Sequence, residues 1–130
     1  MILETERLIL RPWEESDAND LFQYASAPDV GPNAGWPVHT SVENSREIIK
    51  SVFSSPDTYA IVLKETMQTV GSIGLMIGSA SNIGIPDTEA EIGYGIGVPY
   101  WGQSLIPEAV HEMTRYGFRL LRLKIIALKQ

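Results

Sequence analysis

Apolar and charged positions alternate from Leu3 to Pro12, with Ile2, Leu8 and Leu10 set against charged neighbours. This is the period-two pattern of a strand with one buried face, and Pro12-Trp13-Glu14-Glu15 ends it. The period then lengthens. Ala18, Leu21, Phe22 and Ala25 recur at helical spacing behind Ser16, which can cap a helix, and Asp17 and Asp20 fall in a first turn where negative charge suits the dipole. That helix stops before Pro28. Asp29 to His39 carries Gly31, Pro32, Gly35 and Pro37, which sustain neither a helix nor a central strand, so the stretch reads as a loop. Thr40 and Glu43 have the spacing of a capping box, and Ile48, Ile49, Val52 and Phe53 form the apolar face of a second helix ending near Pro56.

The next segments are rich in β-branched and aromatic residues. Tyr59 to Leu63, a polar turn at Lys64 to Gln68, and Thr69 to Ile77 predict a β-hairpin, and Gly78 to Thr88 is a polar loop. Glu89 to Val98 alternates as a strand, but Gly93, Gly95 and Gly97 strip side chains from one of its faces, as suits a bulge or the close approach of a backbone or ligand. Pro107 opens a third helix running through Leu121 with Val110, Met113, Gly117 and Leu120 inward, and Leu123 to Leu128 is a last strand. The order is β-α-α-β-β-β-α-β. It predicts an α+β fold, a mixed and mostly antiparallel sheet with helices on both faces, in which only the last β-α-β step needs a crossover and parallel pairing.

Composition narrows the classes. The 130 residues suit one domain spanning 1–130, and 44% apolar with 20% charged residues is ordinary globular usage. With no cysteine there is no disulfide scaffold, thiolate zinc site or cysteine nucleophile, and two histidines make a histidine-rich metal site an unfavoured reading, so no metal is expected. The N-terminal residues show no basic leader or long apolar core, which reads as cytoplasmic. A net charge of −6 gives no electrostatic footprint for nucleic acid or an anionic membrane. The charge is uneven, however. All 16 carboxylates lie at or before Glu112, whereas Arg115, Arg119, Arg122, Lys124 and Lys129 follow it, as a solvated helix face or a basic site for a phosphorylated ligand would require.

The candidate chemistry sits in the parallel step. A glycine-bared strand enters the turn Tyr100-Trp101-Gly102-Gln103-Ser104 and then a helix N-terminus, where unpaired amides and the positive end of the dipole can receive a phosphate. The same arrangement also serves as a packing device.

Thr5-Glu-Arg-Leu-Ile-Leu-Arg-Pro-Trp13, the loop Gly35-Trp36-Pro37, and Ala90-Glu-Ile-Gly-Tyr-Gly-Ile-Gly97 followed by Pro99-Tyr-Trp-Gly-Gln-Ser-Leu-Ile-Pro-Glu-Ala109 resemble the GNAT superfamily of acetyl-CoA-dependent N-acetyltransferases. Within it they are most similar to the branch of ribosomal-protein N-terminal acetyltransferases. The resemblance runs from end to end of the chain. It implies that the turn after the family's fourth strand, Arg/Gln-x-x-Gly-x-Gly/Ala in that family, cradles the coenzyme A pyrophosphate on Trp101, Gly102, Gln103, Ser104, Leu105 and Ile106. Two positions depart from the pattern. Ser104 stands where a glycine is usual, making any left-handed backbone angle costly, and Ile106 where a small residue is usual. Pantetheine is expected to insert where the fourth and fifth strands splay, pairing with the backbone of Ile96, Gly97 and Val98.

The family's fold usually continues beyond its fifth strand with elements that complete the cofactor cleft and often supply a tyrosine as general acid, so the resemblance implies a fold truncated after strand five. An apolar last strand with an open edge would then invite pairing with a second copy. Acetyl transfer to an amine needs a base for the ammonium proton, a positioned thioester and donors for the oxyanion. Glu91 is the expected base. Tyr94, Trp36 and His39 are the expected substrate contacts, the last two on the loop that would overhang the acceptor cleft. The expected activity is transfer of an acetyl group from acetyl-CoA to a primary amine, of a small molecule or a peptide. The alternative is a non-catalytic acyl-CoA-binding or interaction module.

Overall fold

The computed structural model describes residues 2–25, 40–51, 53, 57–77, 89–97, 100, 102–119 and 125–128. The first segment departs from expectation at once. Leu3–Glu4 (β1) and Leu8–Pro12 (β2) pair antiparallel, with Leu3 opposite Leu10, so the single strand read from Leu3 to Pro12 is a hairpin. Thr5 turns the chain: its amide donates to Leu8 O at 2.9 Å and its hydroxyl oxygen accepts from the Leu8 amide at 3.0 Å. Reversal also changes the buried parity, so that Leu3 enters the core and Ile2 is exposed.

A short 3-10 turn, Glu15–Asp17, leads into α1, Ala18–Ala25. The N-cap is Glu14, not Ser16, and Asp17 completes its capping box: the Glu14 amide donates to Asp17 Oδ2 at 2.9 Å. Asp17 is buried, and its carboxylate also accepts both Arg11 Nη atoms at 2.8 Å and the Thr69 hydroxyl at 2.9 Å. Burial pushes this carboxyl up, but the Arg11 fork, the Glu14 amide and the Thr69 hydroxyl outweigh it and hold it below the usual value. A folded value below the unfolded one, near 4, means that the pair's stabilisation is complete above about pH 4. It is lost as pH falls through the folded value. Asp17→Ala, which leaves a largely buried guanidinium unpaired, is expected to cost about 3 kcal/mol at pH 7 and progressively less in acid. Urea unfolding at pH 7 and pH 3 checks this; equal midpoints at pH 7 would show that the pair carries no net stability.

The second helix, α2, is Val42–Ser51. Its box is one residue later than the Thr40 and Glu43 pair: Ser41 Oγ accepts from the Asn44 amide at 3.0 Å, and Asn44 Oδ1 accepts from the Thr40 amide at 3.1 Å. The hairpin of Thr58–Leu63 (β3) and Gln68–Ile77 (β4) forms as expected. It carries one bulge, because Ile61 faces Gly71 while Val62 faces Thr69, leaving Val70 as the extra residue. Glu89–Ile96 (β5) adds antiparallel to β4, the helix Leu105–Arg119 (α3) crosses over, and Ile125–Leu128 (β6) adds parallel to β5. All six strands lie in one sheet in chain order. The expected element order therefore holds except that its first strand is doubled.

Two cores cover the two faces of the sheet. Leu8, Leu10, Ile61, Ile73, Ile92 and Ile96 pack under α3 through Leu105, Ala109, Met113 and Tyr116. On the other face, Ala60 and Val62 meet Leu21, Ile49, Trp13 and Phe53, the last two rings 4.9 Å apart at their centroids. The sheet is tight at the fold's glycines: a Cβ on Gly71 would stand 2.5 Å from Gly95 O, a backbone atom with nowhere to go. Helix α3 begins at Leu105, two residues before Pro107, which sits inside the first turn, where its missing N–H costs nothing.

Candidate active site

The candidate site is built along β5 and the turn that follows it. Pairing with β6 covers Glu89 to Ile92, whereas pairing with β4 continues to Ile96. Glu91 lies in the doubly paired part, with Met76 on β4 and Ala127 on β6 as its backbone partners. Tyr94 lies on β5 between Ile92 and Ile96 and is 36% exposed. Ile96 is buried in the core. Gly97 differs from expectation: its amide donates to Val70 O and its carbonyl accepts from the Tyr100 amide, each at 2.9 Å. Its N–H is thus committed to β4 and unavailable to a ligand, and its contribution is to close the strand into the turn. Val98, Trp101, Trp36 and His39 lie outside the described residues.

The turn itself is exposed at Gly102, Gln103 and Ser104 and then dives into the core at Leu105. Gly102 has φ +79° and Ser104 φ +62°, both in the left-handed region. A Cβ on Gly102 would meet no atom within 4 Å, so the turn presents open space there. Ser104 meets its angle without being glycine, at a cost of about 1–2 kcal/mol. Leu105 and Ile106 are not small residues set for close approach: Leu105 is buried and Ile106 packs partly against the core, so both anchor the helix start by their side chains. The Glu108 amide closes the first helical turn onto Ser104 O at 3.4 Å. The amides before it belong to the helix end, where backbone donors have no acceptor within the helix.

Sequence reading gave no role to the groups that hold this turn from behind. Arg7 Nη1 donates to Gln103 O at 2.8 Å and Nη2 to Ser104 O at 3.2 Å, while Nε donates to Glu108 Oε1 at 2.7 Å. Glu108 Oε2 accepts the Arg7 amide at 2.9 Å and the Thr5 hydroxyl. Burial pushes the Glu108 carboxyl up, but the Thr5 hydroxyl and the Arg7 amide and guanidinium hold it below the usual value. The acid in the first turn of α3 is thereby turned toward Arg7 and compensated. The only available signal was the motif Thr5-Glu-Arg7, since its partner lies about a hundred residues away in sequence.

These features fit a pyrophosphate. Left-handed turn residues at a helix N-terminus make a concavity of amides, the exposed face is open, and the nearby carboxylate is compensated. Among the described residues no group of acidic or histidine side chains is arranged to hold a metal ion, and no helix is long and apolar enough to cross a membrane.

Comparison with known proteins agrees with this geometry. Residues 7–129 match the acetyltransferase (GNAT) domain family. N-acetyltransferase p20 of Bacillus licheniformis, itself uncharacterized, is 35% identical over 132 residues, covering 98% of this chain and 71% of that protein. An acetyltransferase of the GNAT family from Bacillus anthracis has the same fold, with a TM-score of 0.81 at 23% identity over 96% of this chain and 71% of its own. A Vibrio cholerae protein whose structure carries a provisional ribosomal-protein-serine acetyltransferase name aligns with a TM-score of 0.75 at 21% identity, covering 97% of this chain and 72% of its own. The chain belongs to the GNAT family of N-acetyltransferases. The reaction of that class is acetyl transfer from acetyl-CoA to an amine.

Proposed function

We propose that this chain transfers the acetyl group of acetyl-CoA to a primary amine, a protein N-terminal amine being the acceptor class. The observation that carries the cofactor part is the open, left-handed turn from Gly102 to Ser104, pinned from behind by Arg7 and running into the buried start of α3. The amides of Gly102 to Ile106 hold the pyrophosphate. Ile96, at the end of β5, and Val98 serve the pantetheine arm, with Gly97 closing the strand into the turn. Acetyl-CoA, when bound, supplies the activated thioester.

The rest falls to the chain's own side chains. Glu91, on β5 between β4 and β6, takes the proton from the incoming ammonium directly or through a water, freeing the amine's lone pair. Tyr94, exposed on β5, together with Trp36 and His39, contacts the acceptor. The acceptor class rests on the similarity of Thr5 to Trp13 and of Ala90 to Ala109 to the ribosomal-protein branch, a direction that the Vibrio cholerae neighbour's name shares. The test is calorimetric titration with acetyl-CoA, followed by acetyl transfer to a panel of peptides with free N-termini and of small amines. Cofactor binding with turnover of a peptide is expected. Turnover of small amines alone would remove the protein acceptor, and absence of acetyl-CoA binding would remove the reading altogether.

A further inference from the structure

Arg7 is half-exposed, yet it makes three side-chain hydrogen bonds that span the sequence. Two of its N–H groups reach successive carbonyls, Gln103 O and Ser104 O, and the third holds the carboxylate of Glu108. This has a geometric consequence. In a trans peptide the C=O and the following N–H point in opposite directions and are locked in one plane. Drawing Gln103 O and Ser104 O toward the guanidinium aims the Ser104 and Leu105 amides away from it. These are the two amides that flank the left-handed residue Ser104.

We infer that Arg7, held in place by Glu108 and Thr5, is a positioning residue that sets the direction of the Ser104 and Leu105 amides and so tunes this enzyme's selectivity for an acyl carrier bearing a pyrophosphate. The inference rests on the reading of the turn as the acetyl-CoA cradle. Glu108 has two functions here. It orients the guanidinium through Nε, and its own negative charge, which at a helix N-terminus would repel a phosphate, is compensated by the same contact. Thr5 and the Arg7 amide fix the second carboxylate oxygen, so the carboxylate is held on both sides. The arrangement also answers why Ser104 can occupy a left-handed angle: its carbonyl has a charged donor that a freely rotating peptide would lack.

The fork is what matters, so lysine is an informative replacement. Its single ammonium can keep the ion pair with Glu108 but cannot present a planar fork to two carbonyls and a carboxylate. The experiment compares acetyl-CoA with the acetyl thioester of pantetheine, which lacks the pyrophosphate, in the wild type, Arg7→Lys and Arg7→Met. KM and kcat are measured for each donor with one accepted amine, and circular dichroism melts report folding. The wild type is expected to prefer acetyl-CoA strongly. Both variants should lose about tenfold of that preference through KM for acetyl-CoA, with kcat at saturation and the kinetics on the pantetheine thioester unchanged. A wild type that shows no preference for acetyl-CoA overturns the cradle itself and the proposed function with it. A wild type with the preference and an Arg7→Lys variant that keeps it in full overturns only the role given to Arg7. Equal losses with both donors in a folded Arg7→Lys variant would likewise overturn it, by making Arg7 a general support of the fold.

Discussion

Replacing Gly102 with aspartate is expected to weaken acetyl-CoA binding by roughly two orders of magnitude while leaving the protein folded. Gly102 has φ +79°, an angle that aspartate and asparagine tolerate better than most residues, and its Cβ would enter open space. Folding therefore has little reason to fail. The carboxylate, by contrast, would stand against a diphosphate. At about 5 Å with an effective dielectric near 20, each pair of charges repels by roughly 3 kcal/mol, so the two phosphate charges together give about 6 kcal/mol, which exposure and salt reduce to about 3 kcal/mol. Gly102→Asn keeps the shape and removes the charge, so it should bind within a fewfold of the wild type. Calorimetry on the three proteins at low and high salt measures the effect. If the aspartate and asparagine variants bind alike, the anion does not sit at this turn.

A Glu91→Gln substitution should lower kcat by about 10²–10³, the ordinary contribution of a positioned base, without changing acetyl-CoA affinity. Glutamine keeps the size and hydrogen-bonding capacity of glutamate but cannot take a proton. If Glu91 is the base, the acidic limb of the kcat/KM profile should disappear in the variant, since that limb reports the free enzyme's essential base. A variant with wild-type kcat at every pH would assign the proton to another group. Glu91 stands on β5 with β4 on one side and β6 on the other.

Much of the fold could be read in periodicity. The hairpin of β3 and β4, the glycine-bared β5, the crossover helix and the parallel last strand are local patterns, and they recur in the structure. The doubled first strand was also visible in principle. Glu4 and Glu6 share the parity of Leu8 and Leu10, so an unbroken strand would have driven two carboxylates into the core. Asp17 was read only as a first-turn charge suited to the helix dipole, because nothing local reveals that Arg11 and Thr69 converge on it. The turn's positive φ at Ser104 departs from ordinary residue preference, and only a contact with Arg7 makes it intelligible. Contacts of that range have no period and leave no mark in a single sequence. Trp36 and His39, proposed as acceptor contacts, belong to the Gly- and Pro-rich stretch, where residue type says little about geometry.

The link between Thr5, Arg7 and Glu108 bears on how the chain reaches its native state. Thr5 and Arg7 complete a turn that is synthesised about a hundred residues after them, so the turn from Gly102 to Ser104 can acquire its final shape only once the whole stretch between them has been made. Until then the first hairpin waits with a carboxylate acceptor missing, and the closing of this loop should fall among the last and slowest events of folding.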